Sequence, residues 1–185
     1  MKAYPEVTIA IPVYNAQKYI VETLNSALSQ TFESIEFLII DDKGNDNSIE
    51  IIEQIQKTHL RGEQIKIIHH NENKGIASAR NTAIKNASGR YLFFLDSDDS
   101  LNGNLVFKSL ISNLTENIDF ICADLQEVHK ESIIKENYFS VFYNKKTILS
   151  GKKILQDLLQ GKFPIIACNK IIKKKLNIRF LIITL

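Results

Sequence analysis

The stretch Tyr91-Leu-Phe-Phe-Leu-Asp-Ser-Asp-Asp99 decides the fold class of this 185-residue chain. Its first five residues form an uninterrupted apolar run, which is typical of a strand buried on both faces of a parallel sheet. Three carboxylates then follow within four residues. Such a cluster costs stability unless a cation or a ligand offsets the repulsion. The stretch therefore predicts a buried strand whose carboxyl end opens onto a binding site.

The same alternation extends to both sides of this strand, where apolar runs alternate with segments of helical periodicity. The predicted strands are residues 7–11, 35–40, 64–69, 91–95 and 119–123, and the predicted helices are residues 16–30, 48–58, 76–86 and 104–114. Asn15 is the expected cap of the first helix. This order predicts an α/β fold with a mostly parallel sheet that helices cover on both faces.

Polar loops follow three of the predicted strands, at residues 12–15, 41–42 and 96–99. Right-handed crossovers place the carboxyl ends of parallel strands at one edge of the sheet, where ligands bind. We therefore expect these loops to converge. The chain contains no GxGxxG after its first strand, and neither GxxxxGK[ST] nor GxSxG. This argues against dinucleotide-binding, P-loop and α/β-hydrolase sites.

The acidic stretch at residues 96–99 offers only oxygen ligands, which suit Mg²⁺ or Mn²⁺ held together with substrate phosphates. No Cys/His cluster supports a zinc site. The competing interpretation is an Asp-rich turn in which Ser97 and Asp99 cap the following helix. The sequence leaves both interpretations open.

The composition indicates one globular domain, because 44% hydrophobic and 24% charged residues exclude dominant disorder. No apolar run approaches the roughly 20 residues that span a bilayer. Residues 1–144 carry 13 Lys/Arg against 20 Asp/Glu, whereas residues 145–185 carry 10 against one. The basic last fifth fits either peripheral contact with an anionic membrane surface or a solvated helical face. It lacks interleaved aromatics, which argues against nucleic-acid binding.

We expect neither catalytic nor metal-binding roles for the two cysteines or for the adjacent histidines His69 and His70. The start of the chain lacks an apolar signal region, so Cys122 and Cys168 are expected as reduced thiols of a cytoplasmic protein, buried as small hydrophobes. His69 and His70 are interpreted as a strand-end pair without a catalytic role. Beyond residue 124 the pattern weakens, and it predicts a strand at residues 138–143, a helix at 151–159 and a basic helical segment ending at Lys175.

Five stretches resemble family 2 glycosyltransferases in order and spacing: Val7-Thr-Ile-Ala-Ile-Pro-Val-Tyr-Asn15, Ser29-Gln-Thr-Phe32, Ile39-Ile-Asp-Asp42, Asn73-Lys-Gly-Ile-Ala-Ser-Ala-Arg-Asn81 and Gly89-Arg-Tyr-Leu-Phe-Phe-Leu-Asp-Ser-Asp-Asp99. The resemblance implies a GT-A fold, a three-layer, Rossmann-like nucleotide-binding architecture. It also implies inverting transfer of a sugar from a nucleotide-diphosphate donor, with UDP favoured by family habit. The implied acceptor is a glycan or a lipid-linked glycan of bacterial surface-polysaccharide synthesis.

The resemblance also implies roles for residues of the nucleotide site. Pro12 and Tyr14 border the base and the ribose, and Asp41 accepts a hydrogen bond from the base. Asp96, the first residue of the D-x-D motif, lies near the ribose. Arg80 lies near the nucleotide pocket, where it either supports the acidic loops or approaches the diphosphate.

The metal ligands follow from the same resemblance. Asp98, the last residue of the D-x-D motif, is the expected ligand of Mn²⁺ or Mg²⁺, and Asp99 is either a second ligand or a cap. The metal would act as a Lewis acid on the leaving diphosphate.

The sequence departs from the family in its last part. The usual Gly and acidic pair that supply the general base do not follow residues 177–180, and no Asp or Glu follows Asp157. No catalytic base is identified. We therefore expect residues 1–124 to form the donor-binding region and residues 125–185 a partial acceptor-side region of the same domain. The alternative is an inactive remnant that at most binds nucleotide sugar and metal.

A second enzyme class fits the acidic stretch locally. Leu92-Phe-Phe-Leu-Asp-Ser-Asp98 resembles the nucleophile motif of haloacid-dehalogenase-type phosphatases, in which the first Asp attacks the phosphate. That motif usually opens its fold, whereas three strand–helix units precede it in this chain. The phosphatase interpretation also leaves residues 73–81 unexplained.

Overall fold

The computed structural model describes residues 4–115, 118–124, 126–129, 132–135, 151–161, 167–168 and 170–174. In chain order the elements are β1 (Val7–Val13), α1 (Ile20–Leu28), β2 (Ile35–Asp41), α2 (Ser48–Thr58), a 3-10 turn (Gly62–Gln64), β3 (Ile65–His69), α3 (Ile76–Asn86), β4 (Tyr91–Phe94), α4 (Val106–Ser112), β5 (Phe120–Cys122), β6 (Glu127–His129), β7 (Ser132–Lys135), α5 (Gly151–Leu159) and β8 (Lys170–Lys173). The type and order of every element predicted up to residue 123 are confirmed, as is the helix at 151–159. The strand predicted at residues 138–143 lies outside the described residues.

Six strands form one sheet in the order β3–β2–β1–β4–β8–β5, and β6 and β7 form a separate hairpin. The first four strands are parallel, and β8 runs antiparallel to both β4 and β5. The prediction of a mostly parallel sheet is confirmed. The prediction of a basic helix over Lys170–Lys173 is wrong. Ile171 and Ile172 are buried on opposite faces of the sheet, which requires the period of a strand.

Helices cover both faces of the sheet, which gives the three layers of the predicted fold. One face packs against α1, α2 and α4 in a cluster that includes Ile9, Ile11 and Leu24. The other face packs against α3, where Ala79 and Ala83 are fully buried against Leu38. These small side chains bring α3 close to the sheet. Since α3 follows β3 along the chain, it begins at the edge of the sheet where the parallel strands end.

Asn15 does not cap the first helix. The helix begins after Tyr19, and no side chain caps it. Asn15 instead has a positive φ of 51°, and its Oδ1 atom accepts a hydrogen bond from the backbone N–H of Asn45 at 2.7 Å. A tertiary contact between two loops thus replaces the local cap that the sequence predicts.

Glu36 on β2 connects β2 to β1 and to the loop before β4 at the amino-terminal end of the sheet. Its carboxylate accepts hydrogen bonds from the Thr8 hydroxyl at 2.7 Å and from the backbone N–H of Ser88 at 2.9 Å. The Ser88 hydroxyl donates a third, at 2.5 Å. Desolvation alone would raise the pKa of Glu36. The Ser88 and Thr8 hydrogen bonds and the charge of Lys66 outweigh it and lower the pKa.

We expect Glu36→Gln to destabilise the fold at pH 7 by about 1.5–3 kcal/mol, the range for hydrogen bonds to a charged group. The folded-state pKa of Glu36 is depressed, so its stabilisation is present above the unfolded-state pKa. It is lost as the pH falls through the folded-state pKa. Urea unfolding from pH 7 to pH 3 should therefore show the gap between wild type and variant closing below about pH 5. Glu63→Gln, at an exposed position, is the control. A gap independent of pH would contradict this account.

Candidate functional site

An open cleft of about 280 Å³ lies at the carboxyl ends of β1, β2 and β4. Its lining comes from the loops after these strands and from the beginning of α3: Pro12, Val13, Tyr14, Asp42, Asn73, Gly75, Ile76, Ala79, Arg80, Asp96, Ser97 and Asp98. The polar loops thus converge at one edge of the sheet, as the topology predicts.

The loops after β1 and β2 are fastened to each other. A Cβ atom on Gly44 would lie 2.7 Å from Oδ1 of Asn15, so the close approach of the loops requires glycine. Asp46 accepts hydrogen bonds from the backbone N–H groups of Gln17 at 2.8 Å and Ser48 at 3.0 Å. Desolvation alone would raise the pKa of Asp46, but hydrogen bonds, chiefly from the Ser48 hydroxyl, outweigh it and lower the pKa. These contacts fix the part of the cleft that follows β1.

The adjacent carboxylates Asp41 and Asp42 lie on different sides of the sheet edge. Asp42 lines the cleft, and Asp41 is not among the lining residues. Successive residues of a strand point to opposite faces, and Asp41 has the parity of Ile39, which packs towards α1 and α2. Of the two carboxylates, Asp42 is therefore the one that faces the cleft.

Asp42 is a buried junction between β2, β3 and the loop before α3. Its Oδ1 atom lies 2.7 Å from Nδ1 of His70 and accepts a hydrogen bond from the backbone N–H of Lys74 at 3.0 Å. Its Oδ2 atom accepts from the backbone N–H of Gly75 at 2.8 Å. These contacts set the position of the α3 end of the cleft relative to the sheet.

Arg80 supports the acidic loop after β4. Its guanidinium donates to Oδ1 of Asp96 at 2.7 Å and lies 5.9 Å from the centre of the Phe94 ring. Its Nε atom is buried and makes no hydrogen bond within the described part of the chain. Of the two roles implied for Arg80, support of the acidic loop is the one that the contacts show.

The three carboxylates of the acidic loop differ in their surroundings. Asp98 is exposed and lines the cleft, whereas Asp96 is paired with Arg80. Asp99 lies outside the lining; ligand atoms of Asp96, Asp99 and Cys168 all lie within 4.8 Å of one another. Desolvation and the charges of Asp96 and Asp98 raise the pKa of Asp99.

Cys168 does not supply a ligand suited to the expected metals. Desolvation and the neighbouring carboxylates raise the pKa of its thiol to about 11, which keeps it protonated near neutral pH. Thiolate sulfur also suits soft metals rather than Mg²⁺ or Mn²⁺.

Neither Ser97 nor Asp99 caps a helix, because α4 begins only at Val106. The interpretation of the acidic stretch as a helix cap is therefore wrong.

Most of the predicted site residues meet in the cleft: Pro12, Tyr14, Arg80, Asp96 and Asp98 line it. Asp41 and Asp99 do not. The position of Asp42 in the cleft and the contacts of the two histidines with the two aspartates were not predicted from the sequence. These contacts depend on the parallel register of β2 and β3, which pairs Asp41 with His69. The register of two strands cannot be predicted from the sequence of either strand alone.

Residues 8–180 match the family model described as Glycosyl transferase family 2. The chain belongs to this family. The match includes the acidic stretch and identifies a glycosyltransferase, so the phosphatase interpretation of residues 92–98 is wrong. None of the described helices is long and apolar enough to cross a bilayer.

The relatives of this family 2 chain include bacterial enzymes of polysaccharide synthesis. It is 35% identical over 128 residues to the UDP-Glc:α-D-GlcNAc-diphosphoundecaprenol β-1,3-glucosyltransferase WfgD of Escherichia coli, covering 69% of this chain and 49% of WfgD. It is 31% identical to the poly(ribitol-phosphate) β-glucosyltransferase of Bacillus spizizenii, covering 71% of this chain and 26% of the relative. The chain spans less than half the length of these relatives.

A solved structure of the same fold is that of residues 1–349 of TarS from S. aureus, in complex with UDP-GlcNAc. The TM-score is 0.69 at 25% sequence identity, and the match covers 91% of this chain and 45% of TarS 1–349. The likeness confirms the GT-A fold that the sequence resemblance implied.

Proposed function

We propose that the cleft binds the nucleotide of a UDP-sugar and that this chain takes part in inverting transfer of the sugar to an acceptor. The observation that carries the proposal is the meeting of an exposed aromatic ring, a buried carboxylate and an exposed carboxylate in one cleft, from Tyr14, Asp42 and Asp98. The ring and the buried carboxylate suit a nucleotide base, and the exposed carboxylate suits a divalent metal that would be shared with the diphosphate. The UDP-GlcNAc complex of TarS supports this choice of donor.

Tyr14 and Asp42 are assigned to the base. Tyr14 is 48% exposed, which leaves its ring free to stack on a planar base. The Asp42 carboxylate accepts hydrogen bonds only, so the base that it reads presents a ring N–H at that edge. Uracil does so through N3–H, whereas cytosine presents an acceptor at N3. This assignment moves the base-reading role from Asp41 to Asp42.

Asp98 is assigned to the divalent metal. Its exposed carboxylate is a hard oxygen ligand of the type that Mg²⁺ and Mn²⁺ prefer, and these ions are held in proteins by one or two carboxylates together with substrate phosphates. Asp96 is already neutralised by Arg80, and Asp99 lies outside the cleft lining. When bound, the metal supplies charge stabilisation to the leaving diphosphate.

The acceptor is proposed as a glycan, free or lipid-linked. The name of WfgD gives a diphosphoundecaprenol-linked sugar as its acceptor, and that of the Bacillus relative gives poly(ribitol-phosphate). Inversion requires the acceptor hydroxyl to attack the anomeric carbon opposite the diphosphate, while a general base takes its proton.

Calorimetric titration of UDP and CDP in the presence of Mn²⁺ tests the donor assignment. We expect UDP to bind at least about tenfold more tightly than CDP, because one unpaired hydrogen-bonding group at a charged site costs that much. Omitting Mn²⁺ should weaken UDP binding. UDP-GlcNAc and UDP-glucose, which carry a sugar on the diphosphate, should still bind. A folded protein that binds neither nucleotide would overturn the proposal.

Tyr14→Ala is expected to weaken UDP binding by about 5–150-fold, because base–aromatic stacking contributes about 1–3 kcal/mol. Tyr19→Ala is the matched control, since Tyr19 is similarly exposed, at 52%, but lies outside the cleft lining. The dissociation constants of UDP for the two variants are compared in one titration series with Mn²⁺. Equal effects of the two substitutions would remove Tyr14 from the base site.

A further inference from the structure

Two adjacent histidines contact two adjacent aspartates at the edge of the sheet. His69 lies 2.9 Å from Asp41, and His70 lies 2.7 Å from Asp42. The pairs differ in burial: the side chain of His69 is 54% exposed, and that of His70 is 7% exposed. Of the two aspartates, Asp42 lines the cleft and Asp41 does not. The chain thus contains the same contact twice, once at the proposed donor site and once away from it.

The hydrogen bonds of His70 fix the orientation of its ring. A carboxylate only accepts, so Nδ1 of His70 carries a hydrogen and donates it to Oδ1 of Asp42. On the other side of the ring, Nε2 lies 2.8 Å from the Thr82 hydroxyl on α3. The imidazole is therefore held between the carboxylate and α3, and it cannot rotate without breaking both contacts.

The carboxylate of Asp42 is held by three donors from two directions. His70 approaches from the end of β3, and the backbone N–H groups of Lys74 and Gly75 approach from the loop before α3. The loop donors alone would let the carboxylate move with the loop. The contact with His70 ties it to the sheet, because His70 directly follows β3, which pairs with β2.

We propose that His70 is a positioning residue for base recognition: through Nδ1 it holds the Asp42 carboxylate where it accepts the ring N–H of a uracil base. This inference rests on the proposed function of the cleft. Its consequence is selectivity. A fixed acceptor rewards a base with N3–H and leaves the carboxylate facing another acceptor when cytosine binds. A carboxylate that turns freely would discriminate less between the two bases.

Two polar substitutions separate the two hydrogen bonds of the ring. The side-chain amide of His70→Asn has a donor near the position of Nδ1, so it can keep the bond to Asp42 and loses the one to Thr82. The longer amide of His70→Gln reaches the position of Nε2, so it keeps the bond to Thr82 and loses the one to Asp42. His69→Gln is the matched control on the exposed pair.

The readout is the ratio of the CDP to the UDP dissociation constant, measured by calorimetry with Mn²⁺, with urea unfolding of each variant as the check of folding. We expect His70→Gln to lower this ratio by about tenfold, the value of one charge-assisted hydrogen bond. His70→Asn and His69→Gln should keep a ratio close to wild type. A role in stability alone would weaken UDP and CDP by the same factor and leave the ratio unchanged.

Two results would overturn the inference, and they are distinguishable from failure of the proposed function. A folded His70→Gln variant with the wild-type ratio shows that His70 does not position the base-reading group. A low ratio in both His70→Asn and His70→Gln shows that the bond to Asp42 is not the one that matters. Wild-type protein that binds no UDP overturns the proposed function itself, and the inference with it.

Discussion

Replacing Asp98 with asparagine is expected to abolish the Mn²⁺-dependent part of UDP binding, which is the largest effect that we predict at the site. Substitutions that only touch a metal ligand cost about 10–100-fold in metal affinity, so loss of a direct ligand should cost at least about 100-fold. Asparagine keeps the size of the side chain and removes its charge. Titration of UDP with and without Mn²⁺ measures the effect directly.

The environment of Asp98 gives the physical reason. Among the residues that the structure describes, no cationic side chain pairs with Asp98, whereas Arg80 pairs with Asp96. The charge of Asp98 therefore remains available for a cation at the cleft. Because the side chain is exposed, its removal should leave the free energy of unfolding nearly unchanged.

Asp99→Asn is the matched comparison within the same loop. Asp99 lies outside the cleft lining, and desolvation together with the charges of Asp96 and Asp98 raises its pKa, which disfavours the charged form that binds a metal. We expect its effect on Mn²⁺-dependent binding to be much smaller than that of Asp98→Asn. A larger effect of Asp99→Asn would reverse the assignment of the ligand.

Gly89→Ala is expected to destabilise the fold by about 3 kcal/mol, at the upper end of the usual cost of overpacking. A Cβ atom at this position would lie 2.5 Å from the backbone nitrogen of Thr8 and 2.7 Å from the carbonyl carbon of Val7. Both atoms belong to β1, which is paired with strands on both sides and cannot shift without breaking those ladders. The Gly89 N–H also donates to the Thr8 hydroxyl at 2.9 Å.

Urea unfolding monitored by far-ultraviolet circular dichroism measures this effect. Lys85→Ala, at an exposed position near the end of α3, is the control and should change the free energy of unfolding by less than about 0.5 kcal/mol. A Gly89→Ala variant as stable as this control would show that the loop before β4 yields more easily than its contacts with β1 indicate.

Local patterns were sufficient for the elements of the donor half. The helices Ser48–Thr58 and Ile76–Asn86 begin and end where the apolar period begins and ends. The buried strands are continuous apolar runs, because both faces of the sheet are covered. The prediction of secondary structure failed where the local pattern was basic. Lys170–Lys173 was predicted as a helix, yet it forms a strand, because its two isoleucines are buried on opposite faces of the sheet.

The candidate site shows the same division. The family resemblance named Pro12, Tyr14, Arg80, Asp96 and Asp98, and the structure brings these five together in one cleft. It implied the base-reading role for Asp41, whereas Asp42 is the neighbour that lines the cleft. Both residues are aspartates, so only the face of the sheet on which each side chain lies distinguishes them.

The sequence by itself therefore determined the order of strands and helices, the family and the residue types available at the sheet edge. Those follow from short-range periodicity and from motifs, which are properties of neighbouring residues. The tertiary structure alone decided that Asn15 fastens a loop rather than caps a helix, and that His70 lies against Asp42. These contacts join residues about 30 positions apart, so they exist only after the strands have paired in register.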